Sequence, residues 1–139
     1  MNNNSLKVVE VVAAVILFDN KFLCCQRGIH KFDYISYKYE FPGGKIEKNE
    51  TPSQALIREI QEELNLNISV TSLIKKINYT YPDFILSMDC YLCVSENMDI
   101  KLNDHINYKL LKLHELNSLE WVPADIELVN YLVDNQIGQ

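Results

Sequence analysis

Three glutamates, Glu59, Glu62 and Glu63, recur at spacings of three, four and one. At 3.6 residues per turn these spacings place their carboxylates on one contiguous arc of a helix. Leu56, Ile57, Ile60 and Leu64 fall on a different arc, one suited to burial. Glu50 stands just ahead of this helix, behind Gly43-Gly44. Carboxylates crowded in this way repel: two unit charges about 4 Å apart cost roughly 4 kcal/mol at an effective dielectric of about 20. They also raise one another's pKa values. A hard divalent cation removes the conflict, because Mg2+ takes oxygen ligands and accepts one or two carboxylates together with substrate phosphates. The competing reading of the trio is a solvated acidic helix face.

The wider spacing points to the metal. Gly44, five residues, Glu50, seven residues, Arg58-Glu59-Ile60, then Gln61, Glu62-Glu63, Leu64, Asn65 and Leu66 resemble the Nudix box. One position departs: Asn65 stands where that family has glycine. Asn is the next choice after Gly for a helix end with positive φ, so the departure is conservative. Outside the box the resemblance extends from about Val8 to Leu132. Glu10 to Ile16 and Pro123-Ala124-Asp125-Ile126 look like the MutT-type branch, and within it most like the cytidine-nucleotide pyrophosphohydrolases.

The resemblance implies a Mg2+-dependent hydrolase, with Mn2+ as a possible substitute, that splits a nucleoside triphosphate into monophosphate and diphosphate. Glu59, Glu62 and Glu63 would be the metal ligands, with the Gly44 carbonyl as a further one. Arg58 would hold the site together by pairing with Glu50; the plain alternative is a helical i,i+4 pair with Glu62. The general base would be a box glutamate or Asp104, and neighbouring His105 is another candidate because of its residue type. Arg27 and Lys45 are implied as phosphate contacts. Glu40 and Asp125 match positions that face the base, where a carboxylate accepts a hydrogen bond from an exocyclic amine. For Asp125 the alternative is an ordinary helix cap. Phe84 stands where relatives often have arginine, and its ring could stack on a base instead. CTP, dCTP or a modified form is the expected substrate. An oxidised purine nucleotide is the rival, and a nucleotide-binding module without catalysis is a third reading.

Composition narrows the classes. A chain of 139 residues, 47% hydrophobic, is long enough for one domain with its own core, here taken as 1–139 with residues 1–6 flexible. Its formal charge of −6 argues against a nucleic-acid polymer as partner. It also means that a triphosphate needs metal and a few cations to approach. The longest apolar run, Val11 to Phe18, is far too short to span a membrane, and Met1 to Ser5 does not look like a signal peptide. A cytoplasmic monomer or homodimer is expected. Cys90-x-x-Cys93 with Cys24-Cys25 could hint at zinc. Both pairs lie in strand-like apolar runs, where neighbours point to opposite faces, so buried free thiols are expected.

Around the acidic helix the pattern calls for strands. Val8 to Phe18 reads as a buried strand, Asp19-Asn20 as a two-residue turn and Lys21 to Gln26 as the returning strand. Tyr39 to Phe41 is a short strand before a turn at Pro42-Gly43-Gly44. Thr51 caps the helix, Pro52 opens it and Gln54 completes a capping box. Ile68 to Tyr81 and Ile85 to Val94 form an antiparallel pair, and Asn107 to Leu113 is a further strand. His114-Glu115-Leu116 begins a turn or short helix. A last helix runs from about Asp125 to Asn135 with Ile126, Val129, Leu132 and Val133 inward. A mixed sheet between two helices follows, in agreement with the α/β/α sandwich and loop–helix–loop that a Nudix fold implies.

Overall fold

The computed structural model describes residues 6–138; of the segment expected to be flexible, all but Leu6 lies outside the described residues. Seven strands form one mixed sheet in the order β3-β2-β1-β6-β5, with β4 on β1 and β7 on β2. The strands are β1 (Val8–Phe18), β2 (Lys21–Gln26), β3 (Tyr39–Glu40), β4 (Gly43–Lys45), β5 (Ile68–Thr80), β6 (Ile85–Ser95) and β7 (Asn107–Leu111). Helix α1 (Pro52–Leu64) covers one face and α2 (Pro123–Asp134) the other. β1 and β6 run parallel, and the other strand pairs are antiparallel.

The central strand explains its own sequence. Side chains alternate across a strand. Val12, Ala14 and Ile16 therefore pack with Leu56, Ile60 and Leu64 of α1. Ala13 and Val15 pack with Leu128, Val129 and Leu132 of α2. Both faces are covered, so the run is continuously apolar rather than alternating. Each fully buried Leu or Ile of α1 contributes about 1.5–3 kcal/mol of apolar burial. Cys24, Cys25, Cys90 and Cys93 are all buried free thiols. Among the described residues no helix is long and apolar enough to cross a membrane.

α1 starts as its sequence predicts. Gln54 N donates to Thr51 Oγ1 at 3.1 Å and Thr51 N to Gln54 Oε1 at 2.9 Å. Asn65 ends the helix at φ 58°, in the left-handed region that its amide side chain tolerates. Asp19 and Asn20 both take positive φ, which a tight hairpin requires.

Four expectations fail, each for a physical reason. Pro42-Gly43-Gly44 is not a free turn: Gly43 and Gly44 enter β4 and pair with Ala13 and Val12. A Cβ at Gly43 would overlap the Val12 carbonyl, so the glycine serves a close backbone approach. Ile57 is exposed and Ala55 is buried in its place, because the sheet meets α1 on an arc that keeps Leu56, Ile60 and Leu64 but extends toward Ala55. Ile126 is exposed too, since Ala124, Asp125 and Leu128 take the inner side of α2. The strand expected to reach Leu113 ends at Leu111, where a 3-10 turn, Leu113–Ser118, takes over.

Candidate active site

The acidic face of α1 is organised by one cation. Arg58 donates to Glu50 from Nε at 2.6 Å and from Nη2 at 3.0 Å, a two-bond fork. Its Nη1 reaches Glu59 at 3.1 Å and Glu62 at 3.2 Å, and Nη2 also donates to the Lys45 carbonyl at 3.1 Å. Arg58 thus forms the clamp to Glu50 and the helical pair to Glu62 together. Its hydrogen bonds hold the Glu50 carboxyl below the usual carboxylate range. Glu59 lies against β4 so closely that a Cβ on Gly44 would overlap its carboxylate.

Glu63 has the opposite setting. Its Oε1 is buried with no hydrogen-bond partner among the described residues. Burial first, then the charges of Glu59, Glu40 and Asp104, push its carboxyl up to about 8. Asp104 reaches this neighbourhood because the loop before β7 is tied to the end of α1. A helix leaves its last four carbonyls without partners inside it. Here Asn65 N takes that of Gln61, Asn103 Nδ2 that of Glu62, Asn103 N that of Glu63 and Lys101 N that of Leu64.

A cavity of about 270 Å³ opens beside these carboxylates. Glu63, Asp104, Gly44 and Lys45 line it, as do Arg27, Glu40, Phe84 and Asp125. Glu50, Arg58, Glu59 and Glu62 stand outside its lining, on the clamp side. Glu40 receives Arg27 Nη1 at 3.4 Å on one oxygen and lies 2.9 Å from His105 Nε2 on the other. His105 is buried and committed to Glu40; it does not line the cavity as a free base. Asp125 is no cap: Val122 holds the N-cap position, while Asp125 is buried and accepts from Phe41 N at 2.8 Å. Burial, then the Glu40 charge, raises its carboxyl well above the ordinary range.

Residues 8–132 match the NUDIX domain family. The chain belongs to the Nudix family. It is a MutT-type hydrolase of that family. It is 35% identical over 83 residues to the 8-oxo-dGTP diphosphatase of Proteus vulgaris, covering 58% of this chain and 72% of that protein. It is 29% identical over 124 residues to the CTP pyrophosphohydrolase of Escherichia coli (strain K12), covering 89% and 90%. The solution structure of the E. coli ORF135 protein superposes with a TM-score of 0.81 at 27% identity over 100% of this chain and 98% of that one. The MutT protein of methicillin-resistant Staphylococcus aureus 252 gives 0.71 at 38% identity, over 94% and 98%.

Nudix hydrolases generally use divalent metal ions. The residues of this Nudix box fit one by their chemistry: oxygen donors only, an unpartnered buried carboxylate oxygen on Glu63, and Glu59 within its reach. Among the described residues no three acidic, His or Cys side chains converge as a ready cage. The third box glutamate, Glu62, is 61% exposed and held by Arg58.

The sequence reading missed the wall opposite the box. Tyr81 lines the cavity, accepts from Ala124 N at 2.9 Å and stacks on Phe84 at 4.9 Å. Tyr34 stacks on Tyr81 at 4.9 Å, Phe32 stacks on Phe84 at 6.2 Å, and the Tyr34 hydroxyl donates to Asp83 at 2.7 Å. The eight tyrosines were the available signal, but their spacing carries no period.

Proposed function

We propose that this chain hydrolyses a nucleoside triphosphate to monophosphate and diphosphate, with Mg2+ or Mn2+ bound by Glu59, Glu62 and Glu63 and the Gly44 carbonyl. The observation that carries the reading is the Glu63 carboxylate, which lines a cavity beside Glu59 with its buried Oε1 unpartnered among the described residues. A divalent cation supplies positive charge against the polyphosphate oxygens. Arg58 and Glu50 keep the box rigid without touching substrate. Lys45 and Arg27 offer donors to the phosphates. Asp104, which borders the cavity, or a box glutamate takes the proton of the attacking water.

For the base, Glu40 offers a carboxylate oxygen to an exocyclic amine, Asp125 a buried carboxyl and Phe84 a ring face. This favours CTP or dCTP, and the relative named CTP pyrophosphohydrolase matches along 89% of this chain. The second reading, an oxidised purine nucleotide, is favoured by the higher identity to the diphosphatase of P. vulgaris. The test is a panel of nucleoside triphosphates with Mg2+, read as diphosphate release and ranked by kcat/KM. Glu63→Gln is expected to lower kcat at least about a hundredfold. A wild type inert on every nucleotide, or a fully active Glu63→Gln, sinks the reading.

A further inference from the structure

His105 is 2% exposed at its side chain, and among the described residues that side chain has one hydrogen-bond partner, Glu40. Facing a carboxylate, Nε2 must carry the proton. Its Nδ1 is then buried with no partner among the described residues. An imidazole with one nitrogen unmet is a poor filler for an apolar gap, so the Nε2 contact is what the position serves. The backbone holds it there: Ile106 N donates to the Gln26 carbonyl at 3.0 Å, and Glu40 pairs in register with Cys25 of the same strand. Three segments distant in sequence therefore meet at the Glu40 carboxylate.

Two donors compete for that carboxylate. His105 stands at 2.9 Å, within the range of a charge-assisted bond, whereas Arg27 stands at 3.4 Å, beyond it. The Arg27 guanidinium has no other side-chain hydrogen bond among the described residues, although it carries five N–H donors and lines the cavity. Without His105, Glu40 would be free to close on Arg27 as a two-bond pair. That would spend the arginine and turn the carboxylate from the cavity.

We propose that His105 is a positioning residue which holds Glu40 as an acceptor for the nucleobase and so leaves Arg27 free for the substrate's phosphates. This rests on the nucleotide reading of the cavity. The test compares wild type, His105→Phe, His105→Gln, Glu40→Gln and the Phe/Gln double variant on a triphosphate that wild type cleaves. His105→Phe is expected to raise KM about tenfold while kcat falls less than about threefold. His105→Gln, whose amide nitrogen stands near the place of Nε2, is expected to bring KM back to within about threefold of wild type. In the Glu40→Gln background His105→Phe should add less than about twofold, since the two act as a unit. A wild-type KM in His105→Phe, a loss in kcat alone, no rescue by Gln, or additive effects would each overturn it. Nitrogen NMR of the imidazole in ligand-free wild type gives a readout free of turnover and of variant folding: Nε2 is expected protonated, and an unprotonated Nε2 overturns the proposal. A wild type that cleaves no nucleotide is a different result, for it defeats the proposed function itself.

Discussion

The two ends of the cavity are held by different means. At the acidic end Arg58 joins Glu50, Glu59 and Glu62, all within eight residues of itself. At the opposite end the partners are far apart in sequence: Phe41 with Asp125 at a separation of 84, Glu40 with His105 at 65, Tyr34 with Asp83 at 49. The acidic end is a local charge network on one helix and the loop before it. The other end is a wall of aromatic rings and buried acids that exists only once the sheet has closed. A short loop loses little entropy on closing, so the acidic end can be encoded compactly. The aromatic wall depends on several long closures.

The sharpest break of this contrast is Arg58→Ala. It leaves Glu50 and Glu59 without their shared partner, and stability is expected to fall by about 2–4 kcal/mol, with activity lost. Arg58→Lys keeps the charge but not the fork and should recover only part of it. Denaturant unfolding measures both, and a silent Arg58→Ala would end the idea of a central clamp.

Asp125 tests the other end. Its folded carboxyl titrates above the unfolded one, so the folded state holds the extra proton. Stability from this group is full below the unfolded value near 4 and is lost as pH rises toward the folded value. Asp125→Asn cannot ionise, and its carboxamide oxygen can still accept from Phe41 N. The variant should therefore gain on wild type with rising pH, by up to about 1.4 kcal/mol per pH unit. Melting curves from pH 5 to 8 that run parallel for the two proteins would refute a protonated Asp125.

Metal should act on the acidic end alone. Glu63 is pushed up to about 8, so a cation must displace a proton at neutral pH, and affinity should tighten as pH rises through that value. Mg2+ at ten times its dissociation constant should stabilise by about 1.4 kcal/mol. Thermal shifts at pH 7 and 9 measure this, and an equal shift in Glu63→Gln would place the ion elsewhere. The smallest effect is expected of Tyr34→Phe, which removes one exposed hydroxyl bond to Asp83. A loss of about 0.5–1.5 kcal/mol is expected, with the ring stack retained. A larger loss would mean that the aromatic wall hangs on that bond.

Much of the acidic end was legible before any coordinates. The capping box and the Asn65 helix end follow from spacing along one helix, and the Arg58–Glu50 pair from the resemblance to the Nudix box. What spacing misjudged was the inner arc: Ile57 and Ile126 look like core residues, yet Ala55 and Asp125 are buried instead. Periodicity gives the angle between residues on a helix but not the angle at which the sheet meets it. Gly43 and Gly44 carry a turn signature, yet they serve a strand that must approach β1 and Glu59 closely. Glycine marks a tight place without saying which kind.

By itself the chain specifies the elements and the chemistry of one helix: alternating and helical periods, caps, and carboxylates with one arginine at fixed spacings are all short-range facts. Only the folded arrangement decides that the Glu63 Oε1 finds no partner among the described residues, that Asp125 is enclosed and that His105 meets Glu40. Desolvation and long-range pairing depend on what surrounds a group from every side, and a linear order does not contain that.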